Sequence, residues 1–182
     1  MIHYIFKLFM IMLILLPFYL FFRKPWKKDV KREGALCLFM LFMLGLLSLA
    51  LGGTYQAPSE MFRDAGRRLS TGYAINLIPF RTISSYFCHF VPDVFMVNIV
   101  GNIVMFIPWG FGLPFFRKKR QSVFSVVLFS ALLPLFIETT QLFIGRSVDI
   151  DDLILNFTGG IAGGFCYFLL CRKTDKVSRL SR

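Results

Sequence analysis

The chain has 182 residues, 56% hydrophobic and 17% aromatic, with 23 phenylalanines and a formal net charge of +11; its mean hydropathy is +0.65. Apolar runs near twenty residues, the length that spans a hydrocarbon core, exclude an ordinary soluble domain and point to an all-α integral membrane protein. The positive charge falls in short blocks beside those runs, RKPWKKDVKR, RKKR and RKTDKVSRLSR, a placement that serves anionic headgroups and topology and speaks against nucleic acid.

Residues 2–22 are the first predicted span, interrupted by His3 and Lys7. The large basic block follows this run and no small-residue cleavage site does, so it is expected to remain as an anchor, with Lys7 snorkelling to the interface. The second span covers residues 35–53 and ends at Gly52-Gly53; the third covers 94–116, the fourth 122–144 and the fifth 153–171. Lysines and arginines number six in 23–32, four in 117–120 and five from 172 onward, against one, four and one in the alternate segments. Positive loops stay cytoplasmic, so about five transmembrane helices are expected, with the N-terminus outside and the C-terminus cytoplasmic. The expected organisation is an anchor with a basic loop (1–34), a transmembrane domain (35–172) and a basic cytoplasmic tail (173–182).

Between spans two and three lies the longest outer loop, residues 54–92. Residues 59–73 read as an amphipathic helix with Ser59 as N-cap and Gly72 near its stop. Phe62, Ala65, Leu69 and Tyr73 share one face; Arg63, Asp64, Arg67 and Arg68 occupy the other. It is expected to lie along the outer membrane surface, where Arg63, Arg67 and Arg68, with Arg81 further on, would meet anionic headgroups. Asn-Leu-Ile-Pro-Phe at 76–80 suggests an extended segment dipping into the interface.

With that topology, polar residues inside the spans fall at one depth near the outer leaflet. Asn98 and Asn102 are a turn apart on span three, Glu138 and Gln141 three apart on span four, and Asp152 and Asn156 four apart on span five. Arg146 and Asp149, in the connection between spans four and five, would roof this layer. A charge at membrane depth needs a partner, and an Arg146–carboxylate pair is the strongest contact this set offers. Four uses stay open: a polar network that fixes helix packing, a ligand site, acid–base chemistry between Glu138 and Asp149 or Asp152, and a cation site on Asp149, Asp151, Asp152 and Asn156. The last lacks the spacing of a known calcium loop, and neither a metal nor a cofactor is expected.

On span five, Gly159, Gly160, Gly163 and Gly164 form overlapping small-xxx-small pairs, made for close helix packing within one bundle or a homodimer. Pro108 and Pro134 are expected to bend spans three and four. Cys37, Cys88, Cys166 and Cys171 lack metal or redox spacing and read as packing residues, and His89 reads as an interfacial residue. Trp26 and Trp109 suit an aromatic belt at the cytoplasmic interface. No nucleophile elbow, Walker loop or HExxH is present.

Asn-Leu-Ile-Pro-Phe (76–80), Gly-Asn-Ile-Val-Met-Phe-Ile-Pro-Trp-Gly-Phe (101–111), then Glu138-x-x-Gln141, Arg146, Asp149, Asp152, Asn156 and Gly159 together resemble the VanZ-like family of small bacterial membrane proteins. The resemblance covers roughly residues 50–170 and leaves the first span outside. It implies a multi-pass protein of the bacterial, usually Gram-positive, cytoplasmic membrane; the founding member is linked to resistance to the glycopeptide teicoplanin. The leading expectation is therefore a protein that binds or modulates a lipid-linked envelope component or a teicoplanin-type glycopeptide at the outer leaflet, through the polar layer. The alternatives are an intramembrane enzyme acting on a lipid-linked substrate, with Glu138 and Asp149 or Asp152 as acid–base pair, and a proton-coupled transporter. The expected partners are membrane lipids and such an envelope ligand.

Overall fold

The computed structural model describes residues 30–52, 57–116 and 122–180. The first predicted span and Trp26 lie outside the described residues. The chain divides into two units, Met1–Gly52 and Gly53–Arg182, so the break falls at the glycine pair that ends predicted span two. The described part of the first unit is helix α1 (Val30–Ala50). It begins inside the basic block, at Val30, and is apolar enough to cross a membrane.

The second unit opens with helix α2 (Pro58–Thr71). Its start differs from the sequence reading: Ala57 holds the cap position and Pro58 the first turn, where a fixed φ and a missing N–H cost nothing. Gly72 ends it in the left-handed region at φ 69°, its N–H donating to the Arg68 carbonyl. There follow strand β1 (Ile75–Asn76) and, just after the segment expected to be extended (76–80), helix α3 (Arg81–Cys88), to which the sequence reading assigned no element. Helix α4 (Pro92–Phe95), a π-helical turn (Met96–Val100) and helix α5 (Gly101–Phe116) run on as one element of membrane-spanning length, Pro92–Phe116. Helix α6 (Val123–Phe143), strand β2 (Val148–Asp149) and helix α7 (Ile150–Leu180) complete the unit. α6 and the stretch Ile150–Leu170 of α7 are again long and apolar enough to cross a membrane.

α5 and α7 make the most extensive packing in this unit, with α6 laid against α7. The glycines of α7 explain how. A Cβ on Gly159 or Gly163 would run into the backbone carbonyls of Ile103 and Ile107 on α5. A Cβ on Gly160 would stand 2.8 Å from the Ser130 Cβ, and one on Gly164 would strike the Val126 side chain, both on α6. The two overlapping pairs therefore face two different neighbours within one chain. Gly110 of α5 completes the seam, its missing Cβ making room for the Gly160 carbonyl. In lipid, where apolar side chains gain little from meeting one another, such backbone approach is what favours helix association.

The buried stripe of α6 runs Val126, Ser130, Pro134, Ile137, Glu138, Gln141. Its spacing of three and four keeps it on one face, and it changes from apolar to polar in the last turns. Trp109 is held inward, its indole N–H donating to the Phe129 carbonyl at 3.1 Å, so it joins α5 to α6 as well as serving any interfacial belt. Cys37, Cys88 and Cys166 are free thiols.

Candidate functional site

The end of α6, the start of α7, the start of α5 and the outer loop converge on one junction. Its frame is a two-stranded parallel sheet, Ile75 opposite Val148 and Asn76 opposite Asp149. Two residues per strand are too few for independent stability, and the side chains around them supply the rest.

Asp149 is the first clasp. Its Oδ1 accepts from Asn76 Nδ2 at 2.9 Å and from the Asp151 N–H at 2.9 Å, and its Oδ2 accepts from Thr82 Oγ1 at 2.6 Å. Asn76 Nδ2 also donates to Thr82 Oγ1 at 3.0 Å, closing a ring of three side chains. Asp151, fully buried, is the second clasp. Its carboxylate accepts from the backbone N–H groups of Phe80 (2.5 Å), Thr82 (2.7 Å) and Ile83 (3.1 Å). Those are the orphan donors at the start of α3, whose own cap residue, Phe80, offers no side-chain acceptor. A carboxylate borrowed from α7 thus caps a helix some seventy positions earlier in the chain. It also holds Phe80 at φ 64°, a left-handed conformation that costs a non-glycine residue roughly 1 kcal/mol.

Beneath the clasps lies the acidic pair. Glu138 is 5% exposed, and its Oε2 accepts the Asp149 backbone N–H at 3.1 Å. Asp152 Oδ1 accepts from Asn102 Nδ2 at 2.8 Å, tying α7 to α5. Glu138, Asp149 and Asp152 stand near enough to repel one another, and the Arg146 guanidinium near enough to attract both Glu138 and Asp152. Gln141 is buried a turn beyond Glu138. Asn156, a turn below Asp152, is 5% exposed, and its Oδ1 meets no hydrogen-bond donor among the described residues. At the edge of the junction, on α3, Tyr86 has its phenol pushed above the ordinary 10.0, first by burial, then by the Asp152 and Asp149 carboxylates.

Two expectations need correction. Asn98 lies in the π turn and donates its Nδ2 to the Val94 carbonyl of its own helix at 2.8 Å, so its amide is used locally and does not donate to the acidic pair. Arg68 is not on an exposed polar face: it is 3% exposed. Its guanidinium donates to the carbonyls of Leu142 (3.0 Å), Ala74 (3.3 Å) and Arg146, occupying one acceptor in the last turn of α6 and two in the neighbouring connections. It clamps α2 to the junction and is not placed for headgroups. Of the residues assigned to the apolar face, Ala65 is buried, while Phe62, Leu69 and Tyr73, the last just beyond α2, are exposed, and Phe62 meets Phe143 edge-on at 5.5 Å between ring centroids. Arg63, Arg67 and Arg81 remain exposed, Arg67 with Asp64 at 2.9 Å.

Beside the acidic pair is a cavity of about 300 Å³. α6 contributes Leu135, Glu138, Thr139 and Leu142 to its wall; β2 and the first turn of α7 contribute Val148, Asp149, Ile150 and Leu153. Leu77 of the outer loop closes it. Among the described residues no group of three or more histidine, cysteine, aspartate and glutamate side chains is arranged to hold a metal ion.

The sequence reading did not place Thr82 or Tyr86 in this junction; it quoted Asn76 only within the 76–80 motif, named Asp151 only as a possible cation ligand, and assigned Arg68 to headgroups. Asp151 carried a faint signal, an acidic residue in an Asp-x-Asp-Asp run at a helix start, but that pattern reads as a cap for its own helix.

Compared with known proteins, the chain matches the model of the VanZ/LLP1 family over residues 9–171. The match takes in most of the first predicted span, which the motif resemblance had left outside. No curated protein matches the chain, and no solved structure does.

Proposed function

The chain belongs to the VanZ/LLP1 family and is a multi-pass membrane protein, and from that premise we propose that it binds or modulates a lipid-linked envelope component or a teicoplanin-type glycopeptide. The site is the junction, in the outer leaflet of a bacterial cytoplasmic membrane. The observation that carries this reading is the cavity beside Glu138: apolar over most of its wall, acidic at one side, and placed between the end of α6, β2 and the first turn of α7. Ligand sites are commonly of this kind, an apolar concavity with a few convergent polar groups. The excess of basic residues in 23–32, in 117–120 and from 172 onward, over the alternate segments that build the junction, favours an outward junction, with the N-terminus outside and the C-terminus cytoplasmic. Arg63, Arg67 and Arg81 would then meet anionic headgroups around the site.

The test is teicoplanin and vancomycin susceptibility of a sensitive Gram-positive host expressing wild type, Glu138→Gln or Asp152→Asn, with membrane levels matched by immunoblot. Wild type is expected to raise teicoplanin tolerance selectively, and the well-accumulated variants are expected to lose the effect. A wild-type protein that changes neither susceptibility overturns the reading.

One observation favours a second reading, an intramembrane enzyme: Glu138, in the cavity wall, and Asp152, outside it, stand near enough to act on each other through their charges. Asp149, with both oxygens engaged in the clasp, is the weaker partner for proton transfer. On this reading, expressing cells accumulate a chemically altered envelope lipid that Glu138→Gln abolishes; identical lipid extracts with and without the protein would rule it out.

A further inference from the structure

We infer that the cavity beside Glu138 takes the ammonium head and first carbons of a single-chain amphiphile that enters sideways from the lipid, and that it rejects an anionic phosphate head. The inference rests on the reading of this cavity as a ligand site and goes beyond it in naming the head that the cavity takes.

The direction of entry follows from exposure. Leu77, Leu135 and Thr139 at the rim are exposed, and Leu135 and Thr139 lie on a membrane-length helix beside its buried stripe, not within it. A rim of this kind on a membrane span opens toward acyl chains. At about 300 Å³ the space sits at the lower end for ligand cavities, so it holds a head and a short length of chain, not a whole lipid.

The head follows from charge. The wall contains two carboxylates, Glu138 and Asp149, and no lysine or arginine. Asp149 already accepts from Asn76, Thr82 and the Asp151 N–H. Glu138 gives Oε2 to the Asp149 N–H, and its Oε1 is the oxygen we assign to the ligand's ammonium. Thr139, whose hydroxyl donates to the Leu135 carbonyl at 2.7 Å, keeps its lone pairs for the same donor. A nearly buried carboxylate at membrane depth gains from a cation beside it, through a charge-assisted hydrogen bond in a medium that screens little. A phosphate in the same place would meet a net negative surrounding, the carboxylates of Glu138, Asp149 and Asp152 against the single guanidinium of Arg146.

The experiment uses the full chain in nanodiscs of zwitterionic lipid and three photoreactive twelve-carbon probes that differ only at the head: amine, hydroxyl and phosphate. Each is crosslinked and the labelled peptides are mapped by mass spectrometry. The amine probe is expected to label the Leu135–Leu142 stretch of α6, to be competed by excess dodecylamine, and to exceed the phosphate probe by about tenfold or more. Leu135→Trp, which fills the rim from an exposed position, is expected to remove that labelling. Glu138→Gln is expected to cut the amine preference about tenfold while the hydroxyl probe changes little. Equal labelling by amine and phosphate, labelling that excess dodecylamine does not compete, or undiminished labelling of a folded Leu135→Trp protein would each overturn the inference. Should the susceptibility phenotype hold without amine-selective labelling, this inference falls and the broader reading stands; amine-selective labelling without the phenotype supports the inference and removes the broader reading.

Discussion

The seam between α5, α6 and α7 and the junction above it hold the same helices together by opposite means. In the seam the decisive atoms are missing ones: Gly110, Gly159, Gly160, Gly163 and Gly164 let backbone meet backbone or a small side chain. In the junction they are charged side chains, Asp149, Asp151 and Arg68, each reaching across a long sequence separation to backbone or side-chain groups of another element. The contrast teaches where tolerance lies. A seam of glycines fails on any added atom, because neither neighbour can move without the other. A junction of several hydrogen-bonded clasps fails in parts, and its loss is felt first in the outer loop.

The largest effect is therefore expected in the seam. In Gly163→Val the side chain has to enter the space of the Ile107 carbonyl and, at 2.8 Å from the Cβ alone, the Phe111 amide. It should cost about 3 kcal/mol or more, at the upper end for overpacking, and appear as loss of folded protein by fluorescence-detected gel filtration. Tolerance of Gly163→Val would break the comparison. Next comes Asp151→Ala, which strips three amides of their acceptor at about 2–3 kcal/mol. Hydrogen exchange should rise over Phe80–Ile83 while Gly159–Gly164 stays protected. Uniform loss of protection would show that the two regions are one cooperative unit.

Arg68→Ala should cost less, about 1–2 kcal/mol, because the carbonyls of Ala74 and Arg146 lie in connections that water can reach. Limited proteolysis should cut earlier around Gly72–Ala74 than in wild type, and Arg68→Lys should recover only part of the difference, since one ammonium cannot fork to three carbonyls.

The smallest effect is a titration. The Tyr86 phenol is raised above 10.0 by burial and by Asp152 and Asp149, so the folded protein holds that proton more tightly than the unfolded chain. Its contribution to stability is whole below pH 10 and is lost as pH climbs through the raised value. The tyrosinate absorbance of wild type minus that of Tyr86→Phe should show one phenol ionising above pH 10, with stability at pH 7 almost unchanged. If Tyr86 titrates with the exposed tyrosines, the junction is wetter than its packing implies.

Glu138, Asp152 and Asn102 were legible as one layer, because the topology places the end of span four and the starts of spans three and five on the same side, and a charge at that depth calls for partners. Arg68 was not, because helical periodicity assigns it to the polar face of α2 and cannot see that the end of α6 needs donors there. Asn98 failed for a related reason: the π turn at Met96–Val100 shifts the register that a regular helix would have kept, and a carbonyl one turn back lies within reach of its amide. α3 was invisible because an eight-residue segment with one apolar face has no stop or cap of its own; its cap is on α7.

What the sequence by itself determined is what short-range physics writes locally: apolar runs of spanning length, the spacing of the polar residues along them, the bias of the basic loops, and a glycine stripe that only close packing explains. What only the tertiary structure decided is pairing across distance. Which helix each glycine pair faces, which helix Asp151 caps and which carbonyls Arg68 holds depend on the three-dimensional approach of segments about seventy positions apart, and no local pattern encodes the partner of a hydrogen bond.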